Sequence, residues 1–383
     1  MLIIGGDQEN KPRGERRTVT DGDDASTPLD VAILAGRLGL DDDGRPLGPL
    51  LDRLERRGIA PRIVLADPRG EGGADPRVTV VPALARPWLR PWAVRRLAGR
   101  ASLRPAVLHA LGPEVADVAL ALAETWRVPY LQTVDDFRAA EEGLRISRRW
   151  LRALVASGAE LRDFMVGDLG VPSNLVAVVP PAMTVDPLPR PPGGAATAVV
   201  GVADPPLAET GFATFLEAAG SVLARGRDVE FLIAARGGDS MTVHRRAQSS
   251  SIQERVTVVD LVRVGVGFWS VLDVYCQPTL AADAGRSLAL AMARGIPCVV
   301  SDVPGLRGLI QPGRSGLVVP PGDAAALADD VIRLLDDREA AAAMAETARD
   351  DVRSRFDPDV EADRLAALYR EAANSEAGTS STS

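Results

Sequence analysis

GRSLALAMARGIPCVVSDVPGLRGLIQPGRSGLVVPPGD, residues 285–323, reads as helix, strand, loop and strand within 39 residues. LALAMARG (288–295) is a short helix that Gly295 ends, while IPCVVSD (296–302) and GLVVPPGD (316–323) are short apolar runs suited to buried strands. Asp323 stands where a helix cap belongs, and Leu327, Val331, Leu334 and Leu335 follow it at helical spacing. Asp337 caps a further helix. Asp357-Pro358 is a cap with proline at the first helical position, and it opens a last helix carrying Leu365, Leu368 and Tyr369. This tempo of strand and helix implies a mostly parallel sheet covered on both faces.

The same alternation extends upstream. Strands are expected at 197–204, 229–237, 255–261 and 271–278, with a helix over 209–226. Before them, VDPLPRPPGGAA (185–196) interrupts the pattern with prolines and glycines and reads as a linker. An earlier series then spans the first half: strands at 30–36, 61–67, 78–84, 105–111, 129–137 and 175–183, and helices at 48–58 and 114–128. Residues 146–171 read as helix, short strand and helix. A Trp- and Arg-rich helix falls between the third and fourth strands. The expected organisation is a tail over 1–28, an α/β domain over 29–184, the linker, a second α/β domain over 197–356, a helix over 357–373 returning to the first domain, and a disordered end over 374–383. Two such domains imply a ligand cleft between the carboxyl ends of their strands.

Composition narrows the function. The 383 residues are 46% hydrophobic and 25% charged, as in ordinary globular proteins, with only 4% aromatic. A net charge of −8 argues against nucleic acid as the main partner. A local basic group at Arg145, Arg148, Arg149 and Arg152 reads either as a patch or as a solvated helix face. Cys276 and Cys298 lie inside apolar runs and read as small buried hydrophobes in a reducing compartment. No apolar run approaches the roughly 20 residues that span a bilayer. With no signal peptide legible at the start, the expected location is cytoplasmic.

Chemistry-bearing residues gather in two loops of the second half. Asp283-Ala284-Gly285-Arg286-Ser287 precedes the 288–295 helix, and its backbone N–H groups and dipole suit an anion. The alternative is an ordinary helix start with Ser287 as the cap. SDVPGLRGL (301–309) brings Gly305, Arg307 and Gly308 to the same edge. In the first half His109 ends a strand, either reaching the cleft or sitting satisfied in the core. Asp135 and Asp136 end the next strand, where they serve as a base or sugar-hydroxyl acceptor, or one caps a helix. No nucleophile elbow, Walker loop or metal-ligand cluster is present in the sequence.

The 285–323 text resembles the donor-domain signature of retaining GT-B glycosyltransferases of the group 1, family-four type. That pattern runs Glu-x-x-Gly, Glu-Ala-Met-Ala-x-Gly-x-Pro-Val-Val, Ser-Asp, Gly-Gly and Gly-Leu-Leu-Val-Pro-Pro-Gly-Asp. Asp273–Pro278 and Ser157 resemble further steps of it, and the likeness runs in order over about 30–373. It implies the GT-B fold, two Rossmann-like domains facing across a cleft. It also implies a nucleotide sugar or nucleoside diphosphate bound by the C-terminal domain without metal or cofactor, an unidentified acceptor at the N-terminal domain, and sugar transfer with retention. On that resemblance Asp283, Gly285, Arg286, Ser287 and Leu288 hold the donor; Gly305 and Arg307 join them from the position of their loop, and Asp135, Asp136 and His109, from their places at strand ends, are the candidates for the chemistry. The chain departs from the pattern at both glutamate positions, which carry Ala282 and Leu290, and in VADPPLAETG (202–211), where Thr210 replaces the lysine of a basic pair. Gly44 and Gly48 are the only analogues of an N-terminal glycine-rich turn. These departures leave two readings: a diverged glycosyltransferase, or a catalytically impaired homologue kept as a binding or regulatory partner of another protein.

Overall fold

The computed structural model describes residues 27–37, 47–67, 75–100, 103–183, 197–203, 211–235 and 240–377. The linker over 185–196, most of the expected tails, Gly44 and Thr210 lie outside the described residues.

The first half alternates strand and helix as its hydrophobic runs require. It comprises β1 (Leu29–Arg37), α1 (Leu47–Glu55), β2 (Ile59–Asp67), β3 (Val78–Val80), α2 (Arg90–Ala98), β4 (Val107–Leu111), α3 (Ala116–Trp126), β5 (Tyr130–Val134), α4 (Phe137–Glu142), β6 (Leu151–Ala156), α5 (Ala159–Gly167) and β7 (Val176–Val178). Its strands form one sheet in the order β3-β2-β1-β4-β5-β6-β7, and every pairing is parallel.

The second half repeats the scheme. It runs β8 (Ala198–Ala203), α6 (Phe212–Ala224), β9 (Val229–Ala235), α7 (Ser240–Gln248), β10 (Val256–Asp260), α8 (Leu261–Val264), α9 (Val266–Ser270), β11 (Val274–Gln277), α10 (Arg286–Ala293), β12 (Cys298–Ser301), α11 (Leu306–Leu309), β13 (Leu317–Val319), α12 (Ala324–Asp336) and α13 (Arg338–Arg355). Its sheet, also all parallel, is ordered β10-β9-β8-β11-β12-β13. Each sheet reverses strand order once, between β1 and β4 and between β8 and β11. A doubly wound sheet opens its ligand crevice at such a point. The architecture is therefore α/β with two Rossmann-like sheets.

Each sheet has an apolar cluster on both faces. The last helix, α14 (Pro358–Ala377), joins a cluster of the first sheet, although it follows the second in sequence. Ala362, Leu365, Ala366, Tyr369 and Ala372 pack there with Val31, Ile33, Leu51 and Leu54. Burying Leu365 alone contributes about 1.5–3 kcal/mol.

Several boundaries correct the sequence reading. The strand expected over 78–84 stops at Val80, because Pro82 lacks the N–H a longer ladder needs and instead opens a 3-10 turn over Pro82–Ala85. The strand expected over 129–137 ends at Val134, and α4 begins at Phe137. Residues 148–150 form a turn rather than part of a helix before β6. Ser287 is not a cap: α10 starts from Gly285 in the left-handed conformation. The end expected to be disordered from 374 is helical to Ala377. The caps at Asp323 and Asp337 form as expected, accepting from Ala326 N at 2.9 Å and Ala340 N at 3.0 Å.

Candidate functional site

The carboxyl ends of β5, β6 and β7 face α10, α11 and the turn from α13 into α14 across a cavity of about 450 Å³. Thr133, Asp135, Ser157 and Glu160 line it from the first half, and Gly285, Arg286, Ala289 and Gly305 from the second. Its remaining wall is largely apolar, with Val155, Val179, Met183, Leu309, Phe356 and Leu365.

Backbone geometry explains both glycine-bearing loops. Gly285 has φ +71°, and a Cβ there would fall 2.3 Å from Leu309 Cδ1. At Gly305, φ is +90° and a Cβ would meet Asp283 O at 1.7 Å. The loops lie backbone to backbone, with Asp283 N donating to Pro304 O at 3.1 Å. Only glycine combines the left-handed conformation with that close approach. Asp283 organises this corner: Oδ1 accepts from Gly285 N at 2.7 Å, and Oδ2 accepts from Gln277 Nε2 at 2.9 Å. The Gln277 Oε1 acceptor is in turn held by Tyr275 Oη at 3.2 Å.

Arg286 opens α10 and reaches across the cleft, its Nη1 lying 3.7 Å from Asp135 Oδ2. A second crossing joins Gly305 N to the Glu160 carboxylate, which stands in the first turn of α5. Thus a carboxylate already sits against a backbone N–H of the second loop, as an anion would. Arg355 Nη1 donates to Gly308 O at 2.5 Å on the same side. Below them the buried Glu361 of α14 accepts from Ala182 N at 3.0 Å, and Met183 N donates to Phe356 O at 3.0 Å.

The sequence-predicted residues divide. Asp135, Gly285, Arg286 and Gly305 come together at the cavity. Ser287 and Leu288 supply first-turn amides of α10, and the Leu288 side chain is buried. Arg307 is directed to Asp302, Nε to Oδ1 at 2.6 Å, and that carboxylate raises its pKa above the usual arginine value. Asp136 is a helix cap, accepting from Ala139 N at 2.5 Å. His109 does not reach the cleft. It is fully buried, with Nδ1 2.8 Å from Tyr369 Oη in the core and Nε2 2.9 Å from Thr133 Oγ1 at the cavity wall, so both ring nitrogens have partners.

Ala282 is exposed outside the cavity wall, whereas Leu290 is 1% exposed inside the second core. The two positions matched to family glutamates therefore face opposite environments. The sequence alone singles out none of Glu160, Arg355 and Glu361. The SGAEL run does place an acid at a helix start, but no local signal shows that it meets the other half of the chain. Among the described residues no cluster of three or more His, Cys, Asp or Glu is placed to hold a metal. No described helix is long and apolar enough to cross a membrane.

Residues 197–337, the second sheet with α10 and both loops, match the glycosyl transferases group 1 family. That match spans less than half of the chain. The alpha-D-kanosaminyltransferase of Streptomyces kanamyceticus is 32% identical over 166 residues, which cover 43% of this chain and 43% of that relative, less than half of its length. Over nearly the whole chain the likeness is one of fold. The glycosyltransferase of Rickettsia africae superposes with a TM-score of 0.71 at 13% identity, covering 91% of this chain and 99% of that one. Anabaena Alr3699/HepE, solved in complex with UDP, gives 0.68 at 17% identity, covering 90% and 100%. The group 1 domain and these neighbours make the architecture GT-B.

Proposed function

We propose that this chain transfers a sugar from a nucleoside-diphosphate donor to an acceptor held against the first sheet. The observation that carries this reading is the start of α10 inside a glycosyl transferases group 1 domain, opening with Arg286 onto a cavity shared with the first half. The names of the relatives and the UDP bound by a structural neighbour support a nucleotide sugar as donor.

In this reading the diphosphate lies at the α10 N-terminus, where the amides of Ser287 and Leu288, the helix dipole and the Arg286 guanidinium oppose its charge. As the bond from the anomeric carbon to the diphosphate breaks, negative charge grows on the leaving oxygen, and these fixed groups stabilise it without reorganising. For retention the acceptor oxygen bonds to the anomeric carbon on the face the diphosphate leaves, and Asp135, 3.7 Å from Arg286 on that side, is the carboxylate we assign to take the hydroxyl proton. Arg286 and the helix amides do the work that a bound cation would otherwise do, so the transfer proceeds without metal. Retention of configuration and a cytoplasmic setting, consistent with the free buried Cys276 and Cys298, complete the proposal.

Incubation with a panel of nucleotide sugars and hydroxylated acceptors, with product followed by NMR, tests it. An α-linked product from an α-linked donor, formed in the presence of EDTA and lost in Arg286→Ala, is the expected result. Release dependent on added metal, or an inverted anomeric centre, would refute the corresponding part of the reading.

A further inference from the structure

One described stretch with a distinctive surface lies outside the cavity lining. From Pro76 to Pro113 the sequence holds seven arginines, Arg77, Arg86, Arg90, Arg95, Arg96, Arg100 and Arg104, and no aspartate or glutamate, in a chain of net charge −8. Two of these are committed structurally: Arg77 to Asp75 and Asp52, and Arg90 to Leu84 O. The other five are exposed. Between them stand Trp88 and Trp92, 74% and 52% exposed, in a protein whose aromatic content is only 4%. Trp126 and Trp269, by contrast, are buried.

Local structure makes this one surface. A 3-10 turn over Pro87–Leu89 runs directly into α2, so Trp88 and Trp92 are one turn apart on a helical path, followed by Arg95 and Arg96. Ala93 and Leu97 face inward, and Trp126 Nε1 bonds to Ala98 O, which fixes the helix on α3. Arg96 lies over the Trp92 ring, with Cζ 5.3 Å from its centroid. The stretch leaves β3 from the carboxyl edge of the first sheet, the edge that carries Asp135 beyond β5.

We propose that this face docks on a bilayer surface containing anionic lipid. Exposed tryptophan is costly in water, but its amphipathic ring is at home at headgroup level. Arginines beside it meet lipid phosphates, and their attraction acts within a Debye length, so the distant acidic surface does not cancel it. A duplex would use the guanidinium groups alone and leave both indoles unexplained.

Co-sedimentation with phosphatidylcholine vesicles, with and without one quarter phosphatidylglycerol, at 0.1 M NaCl tests the proposal. Partition at least tenfold higher onto the anionic vesicles is expected, with a blue shift of tryptophan emission. Arg95→Ala with Arg96→Ala should lower it by about fivefold per arginine. Trp88→Ala with Trp92→Ala should lower it and abolish the blue shift. These side chains are exposed, and an unchanged circular dichroism spectrum verifies the fold of each variant. Equal binding to both vesicles, no binding to either, undiminished binding in both paired variants, or binding to duplex DNA alone would overturn the proposal.

Discussion

Arg286 of the second half and Asp135 of the first stand 3.7 Å apart across the cleft, at 42% and 34% side-chain exposure. The cation proposed to meet a diphosphate therefore already faces an anion, and a ligand must compete with that carboxylate. Asp135→Asn is expected to tighten nucleoside diphosphate binding, by up to about fivefold for a half-exposed pair. The same variant should lower turnover, because Asp135 is also the proposed base. Parallel measurements of Kd and kcat check this, and unchanged affinity would show that the pair does not gate the site.

Leu290 and Ala282 predict opposite outcomes for one substitution. A glutamate at Leu290 buries a carboxylate in an apolar core, where it costs on the order of 3–5 kcal/mol and titrates well above its ordinary range. Ala282→Glu sits on the surface and should change stability by no more than about 0.5 kcal/mol. Urea denaturation distinguishes the two. A folded, equally stable Leu290→Glu protein would mean that the α10 face repacks toward the cleft.

Gly305→Ala should cost roughly 1–3 kcal/mol from its φ of +90° alone, before the 1.7 Å approach to Asp283 O is counted. Relieving that contact moves the loop off Glu160, so protection of the Gly305 amide in hydrogen exchange should fall in the same variant. Retained protection would show that the loop tolerates a side chain.

The attachment of α14 to the turn after α1 is expected to depend on pH in a defined direction. Arg57 bonds Asp363 Oδ1 at 2.6 Å and Asp359 Oδ1 at 3.0 Å. Hydrogen bonds from Arg57 hold both carboxyls below the usual range. A depressed folded pKa gives stability that is present above the unfolded value of about 3.9 and lost as pH falls through the folded one. Protection of the amides at the start of α14, taken relative to intrinsic exchange at each pH, should therefore fall below about pH 4, and Arg57→Ala should bring that lower protection to neutral pH. Protection unchanged by both would assign the attachment to Leu365 and Tyr369 alone.

How far the sequence reveals this molecule depends on the range of each interaction. Strands such as β1 and β9 are legible because a buried parallel strand needs a continuous apolar run. The caps at Asp323 and Asp337 are legible because a cap reads only its own helix. His109 illustrates the limit: its partners Thr133 and Tyr369 are 24 and 260 residues away, and no local pattern reveals that they satisfy it. The Glu160 contact with Gly305, between residues 145 apart, is hidden for the same reason. Asp283 reads as a ligand group, yet both its carboxylate oxygens are taken by Gly285 N and Gln277 Nε2.

The central claim is that the cavity beside Arg286 binds the diphosphate of a sugar nucleotide. Calorimetric titration with UDP, GDP and ADP tests it most directly, in the wild-type chain and in Arg286→Ala. One nucleotide is predicted to bind with a stoichiometry of one, and the variant to lose about 1–3 kcal/mol, roughly 5- to 150-fold in Kd. Equal affinity in the two proteins, or no binding of any nucleoside diphosphate to the wild type, would contradict the account.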